Sequence, residues 1–185
     1  MKRERRLPTG RPARYWRSIF REKTVNVLDM LKYGNLAFEA AYENIPAEHW
    51  EVAGVTGFWS TKDIVAHLTS WELVLGDVLT TFAGGGPTPH LDELSRVNKG
   101  YNDSEVEKRQ GMTPAEVVAE YQAAHERVMN LVPQVPSETY RENGTLPWYG
   151  SGYCLDDFIV YINYAHKREH AAEINVYRDR LKQSR

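Results

Sequence analysis

A single cysteine, Cys154, in 185 residues excludes an intramolecular disulfide and fits a reducing compartment. No apolar run approaches the roughly 20 residues of a membrane helix, so no membrane partner is expected and the cytoplasm is the expected location. Strand signals are missing too, because no segment alternates apolar and polar residues convincingly. The formal net charge is −2, so the chain as a whole lacks the excess of positive charge expected of a nucleic-acid binder. The run Gly84-Gly85-Gly86 follows a helical pattern and lacks the Lys-Ser/Thr ending of a phosphate loop. Neither an internal repeat nor a domain-sized linker divides the sequence, which is of single-domain length.

Charge is present but unevenly spread. Residues 1–23 carry nine Lys/Arg against Glu4 and Glu22, a net of +7, which leaves −9 for the remainder. This basic N-terminal extension has no apolar core of signal-peptide length. It reads either as an arm for an anionic surface or as a solvated, partly disordered lead-in to the first helix. The acidic body speaks against nucleic acid as a partner. The packed domain is expected over residues 24–185.

Helical periodicity dominates that domain. A first helix is predicted from Thr24 to Asn44, through Val27, Leu28, Leu31, Phe38 and Tyr42. A second begins after Ser60, which can cap it, and carries Ile64, Leu68, Trp71, Leu75 and Val78 on its apolar face. Residues 90–110 predict one short accessory helix. Thr113-Pro114-Ala115-Glu116 combines an N-cap, a first-turn proline and a capping box, and opens a third long helix. An aromatic loop with Trp148, Tyr149 and Tyr153 leads to a last helix over 155–182. The fold class is therefore all-α, a four-helix bundle with a short accessory helix.

Within that pattern lie His67 on the second helix and His166 and His170 on the last. Positions four apart share one helix face, so His166 and His170 can hold one metal ion if another element supplies a third ligand. His67 is the candidate, since Ile64 and Leu68 beside it mark an inward face. Taken singly, each histidine also reads as an ordinary core or surface residue. The sequence around them excludes two neighbouring motifs. Lys167 stands where His-Glu-x-x-His needs glutamate, and Ile64 and Lys167 stand where a di-iron bundle needs the glutamate of Glu-x-x-His. What remains is one divalent ion on three imidazoles with open positions for water or substrate. Asp63 and Glu173 are candidates to orient the imidazoles, and Trp148 and Tyr149 are candidates to line a substrate pocket. Three imidazoles suit zinc, nickel, iron and copper alike.

The stretch from Trp59 to Glu72 resembles the second-helix signature of the DinB/YfiT-like superfamily, and Asp157 to His170 resembles its last-helix signature. The resemblance spans about residues 24–180. It implies a DinB-like four-helix bundle, often a homodimer, with zinc or nickel as the ion most expected on His67, His166 and His170. It further implies a metal-dependent enzyme acting on a small molecule, as a thiol-dependent transferase using a low-molecular-weight thiol or as a hydrolase. Shorter similarities at Leu91 to Tyr101 and at Pro147-Trp148-Tyr149-Gly150 are to the colibactin self-resistance branch. They imply the alternative of a metal-independent bundle that binds and sequesters a small molecule.

Overall fold

The computed structural model describes residues 26–183, so the basic extension and the expected helix start at Thr24 lie outside the described residues. Helix α1 spans Val27–Tyr42, with the Asn26 side chain accepting from the Leu28 backbone N–H at 2.9 Å. Helix α2 spans Thr61–Phe82 behind the Ser60/Asp63 capping box. It ends at the glycine run, where φ is 109°, 83° and 157° at Gly84, Gly85 and Gly86, a backbone that side-chain-bearing residues rarely adopt. The single accessory helix expected at 90–110 is two helices, α3 (Pro89–Val97) and α4 (Tyr101–Lys108). Asn98, at φ 55°, turns the chain between them. Helix α5 spans Pro114–Leu131 with the predicted Thr113/Glu116 capping box.

The last long element starts as α6 (Leu155–Phe158) and continues as α7 (His166–Gln183). Between them, Ile159–Ala165 is wound as a π-helix, which periodicity did not foresee. Packing runs mainly between α2 and α5 and between α1 and α7, with α3 and α4 lying against α2. Gly34 of α1 lets the π segment approach closely, because a Cβ there would stand 3.1 Å from Cδ2 of Tyr164. No strand occurs among the described residues, and the architecture is the expected all-α bundle. Among the described residues, no helix is long and apolar enough to cross a membrane.

The core falls into two apolar clusters. One gathers Leu31, Val74, Leu75, Val78, Val128, Leu155, Phe158 and Ile159. The other gathers Phe38, Ile64, Val65, Leu68, Val117, Tyr121, Ala171 and Ile174. On each long helix a polar residue lies between its contributions to the two: Asn35 on α1, Glu72 on α2, and His125 on α5. On the last helix Asn163, Lys167 and His170 occupy the same interval. Of these, Asn35, Glu72, Asn163, Lys167 and His170 are buried. The bundle thus carries a polar layer at mid-height, where unpaired groups are costly.

Candidate metal centre

Helix α2 delivers His67 to this layer, and α7 delivers His166 and His170 one turn apart. His67 is 2% exposed and His170 6%, while His166 is partly open. The three Nε2 atoms converge: His67 to His166 is 2.9 Å and His170 to His166 is 3.1 Å. Among the described residues, these three side chains form the group able to place metal-ligating atoms around one point.

The opposite edges of two rings are anchored. Nδ1 of His166 is 3.3 Å from the Ile162 carbonyl oxygen, which can only accept, so Nδ1 carries the proton. The π segment supplies that carbonyl, because the His166 backbone N–H turns to Asn163 O instead. Nδ1 of His170 donates to Oε2 of Glu173 at 2.7 Å. Thr56 Oγ1 donates to the same carboxylate oxygen at 2.5 Å. In neutral rings both Nε2 atoms of α7 would then be acceptors facing each other, and one N–H from His67 could serve only one of them. Among the described residues, His67 Nδ1 is buried without a hydrogen-bond partner.

Burial, with His166 and His170 nearby, pushes the His67 imidazole down to about 2. Burial and His170 push His166 down to about 4, against the Ile162 carbonyl and Glu173. Protons are thus poor occupants of His67 and His166 at neutral pH. A divalent cation would engage all three lone pairs at once, and neutral imidazoles anchored through Nδ1 are the form in which histidine ligates. The residues fit a metal ion.

The other expected residues fall variously. Glu173 stands where an orienting carboxylate was expected. Asp63 does not: its Oδ2 accepts from Ser60 N and Oγ at 2.9 and 2.8 Å, and its Oδ1 from Gln110 at 3.0 Å. As third residue of α2 it completes the cap, one turn short of His67. Trp148 and Tyr149 also sit elsewhere, packing on Phe158 with ring centroids 5.4 and 5.1 Å away. Phe158 precedes His166 by eight residues along the last helix, so the loop bearing these rings covers the far cluster. The indoles beside the histidines are Trp59, 4.8 Å from the His67 ring, and Trp71, 6.1 Å from the His166 ring. Trp71 is four residues after His67 on α2, a spacing that helical geometry makes legible. Thr56 gave no sequence signal.

Comparison with known protein families matches residues 34–174 to the DinB superfamily. The chain belongs to the DinB superfamily. Neither the curated proteins nor the solved structures gave a match. Superfamily membership and the histidine triad together are compatible with a metal-dependent enzyme.

Proposed function

We propose that this DinB-superfamily chain is a metal-dependent enzyme acting on a small molecule. Zinc or nickel would be held by His67, His166 and His170, and the leading reaction is transfer of a low-molecular-weight thiol, with hydrolysis as the other chemistry the site supports. The observation that carries the reading is the meeting of three Nε2 atoms, two of them bared by fixed Nδ1 partners. When bound, such an ion supplies Lewis acidity that lowers the pKa of a thiol or water at its open position. The chain's own residues do the rest. Ile162 O and Glu173 fix two ring orientations, and Thr56 holds Glu173 in place. Trp59 and Trp71 give the site aromatic walls that limit water and favour an apolar substrate portion. A homodimer belongs to the same proposal. Tyr33 and Tyr161, more than half exposed on the packed α1 and last-helix segments, offer apolar surface to a second copy.

Elemental analysis of untagged protein should find about one zinc or nickel per chain, and His67→Ala should abolish it. A panel of small thiols tested against a small electrophile should then show metal-dependent transfer. If the untagged protein carries no divalent ion, and His67→Ala leaves folding and small-molecule binding intact, the sequestering alternative replaces this reading. Sedimentation of the full chain tests the dimer.

A further inference from the structure

Beside the histidines lies a second polar cluster that the proposed chemistry does not use. Glu72, on α2, is fully enclosed, and its carboxylate collects three donors from two other helices. Lys167 Nζ is 2.7 Å from Oε1, and His125 Nδ1 on α5 is 3.0 Å from Oε2. Asn163 Nδ2 donates to Oε1 as well. Lys167 is 1% exposed and lies over the Tyr121 ring at 5.4 Å. Asn163 and Lys167 are one turn apart on the last helix and bracket His166, so α2 grips that helix twice. His67 meets the pair 166/170, and Glu72 meets the pair 163/167.

Asn163 has a particular place in this grip. It lies inside the π segment, and its backbone carbonyl takes the His166 N–H, which leaves Ile162 O for the His166 ring. Its side-chain Oδ1 is buried with no hydrogen-bond partner among the described residues. A buried amide with an orphaned oxygen is costlier than an apolar side chain of the same branching. Among the described residues, the hydrogen bond of that side chain is the one from Nδ2 to Glu72, which offsets part of the cost. A π turn holds one more residue than an α turn, so regularising the segment would rotate the residues after it by about 100°. His166 and His170 would then leave the face that meets His67.

We propose that Glu72, acting through Asn163, is a positioning residue that pins the π segment and so aims His166 and His170 at His67. The inference rests on the metal-site reading given under the proposed function. Its test uses untagged full-length protein and zinc competed against a chromogenic chelator. Asn163→Ala keeps the Glu72–Lys167 pair but frees the π segment, and should weaken zinc binding at least tenfold. Asn163→Leu fills the volume if the alanine variant fails to fold, and should weaken binding equally. Glu72→Gln with Lys167→Met removes both charges but keeps an oxygen for Asn163, and should bind zinc within about threefold of wild type. Imidazole ¹⁵N spectra of the zinc-free protein give a second readout: the His166 Nδ1–H signal should move in the Asn163 variants and stay put in the double variant. Unchanged affinity and unchanged His166 signals in a folded Asn163 variant would overturn the positioning role. Equal loss in the double variant would also overturn it, by assigning the effect to the ion pair. Failure of wild type itself to bind zinc would instead overturn the metal-site reading, and the ¹⁵N spectra would still decide whether Glu72 sets the register.

Discussion

The two polar clusters that α2 makes with the last helix differ in one respect. Around Glu72, one carboxylate meets one ammonium, an imidazole N–H and an amide N–H, so charge balances within the protein and, among the described residues, one amide oxygen of Asn163 is left over. Around His67, three Nε2 atoms face one another and, among the described residues, a buried Nδ1 goes unpaired. Buried polar groups tend to be fully paired, so a balanced cluster reads as architecture. One short of a cation reads as a site for something brought from outside.

That contrast can be broken or sharpened by experiment. The largest effect should come from Glu72→Leu, which strands the Lys167 charge in the core and should cost about 3–5 kcal/mol in urea unfolding. Glu72→Gln with Lys167→Met should cost far less, since replacing both charged partners is often neutral and the glutamine oxygen still accepts from Asn163. A cost below about 1 kcal/mol for the single variant would show that Lys167 finds another partner, and the cluster would not be a closed unit.

The histidine cluster should respond to metal instead. Zinc at a thousandfold excess over its dissociation constant should stabilise wild type by about 4 kcal/mol, and should not stabilise His166→Ala. Identical melting curves in zinc and in chelator would make the triad self-sufficient and erase the contrast.

Acid separates the clusters by window. In chelator, His67 and His166 are held neutral in the fold, down at about 2 and about 4 against an ordinary 6.5. The unfolded chain then binds more protons, so their contribution is full above pH 6.5 and is lost as pH falls toward those values. At Glu72, burial opposes ionisation, but Lys167 and His125 outweigh it and bring the carboxyl from 4.5 to about 2. Its contribution is present above 4.5 and declines only below it. Burial meanwhile pulls Lys167 down from the usual lysine range, with Glu72 holding it up. Urea midpoints against pH should therefore fall in two stages. Glu72→Gln/Lys167→Met should flatten only the lower stage, and a single-stage curve unaltered by that double variant would contradict the assignment.

Smaller effects belong to the supports. Glu173→Ala should weaken zinc binding about 10–100-fold, as loss of a carboxylate behind a ligating imidazole does. Thr56→Val, one contact further out, should weaken it less than Glu173→Ala. The reverse order, read by the same chelator competition, would mean that Thr56 touches the centre by another route.

Much of this molecule is legible in its sequence, for local reasons. Ser60 and Thr113 announce their helices because a cap needs residues only three apart. His166, His170 and Glu173 share a stripe by helical spacing, and Glu173 accordingly stands behind His170. The features that stay hidden depend on distance or on broken period. Lys167 serves to exclude other motifs, yet nothing in a lysine announces burial against a glutamate 95 positions earlier, so Glu72 draws no notice in the sequence. The π segment escapes because an inserted residue leaves apolar spacing nearly intact while rotating the helix beyond it. Thr56 lies 117 positions from Glu173. Asp63 misleads because a carboxylate one turn before a histidine suits either a cap or a ligand support, and the cap lies closer. Trp148 and Tyr149 attract attention as loop aromatics, whereas Trp59 and Trp71 hold the rings beside the histidines.

His67 and His166 are 99 residues apart in the chain. An ion gripping both would act as a removable staple, closing a loop as long as most of the domain in a protein whose lone thiol can form no internal bridge. Cross-links of that span restrict the unfolded chain by about 4–5 kcal/mol in the simplest entropic treatment. The supply of metal would then govern how long the chain survives proteases, independently of the proposed chemistry.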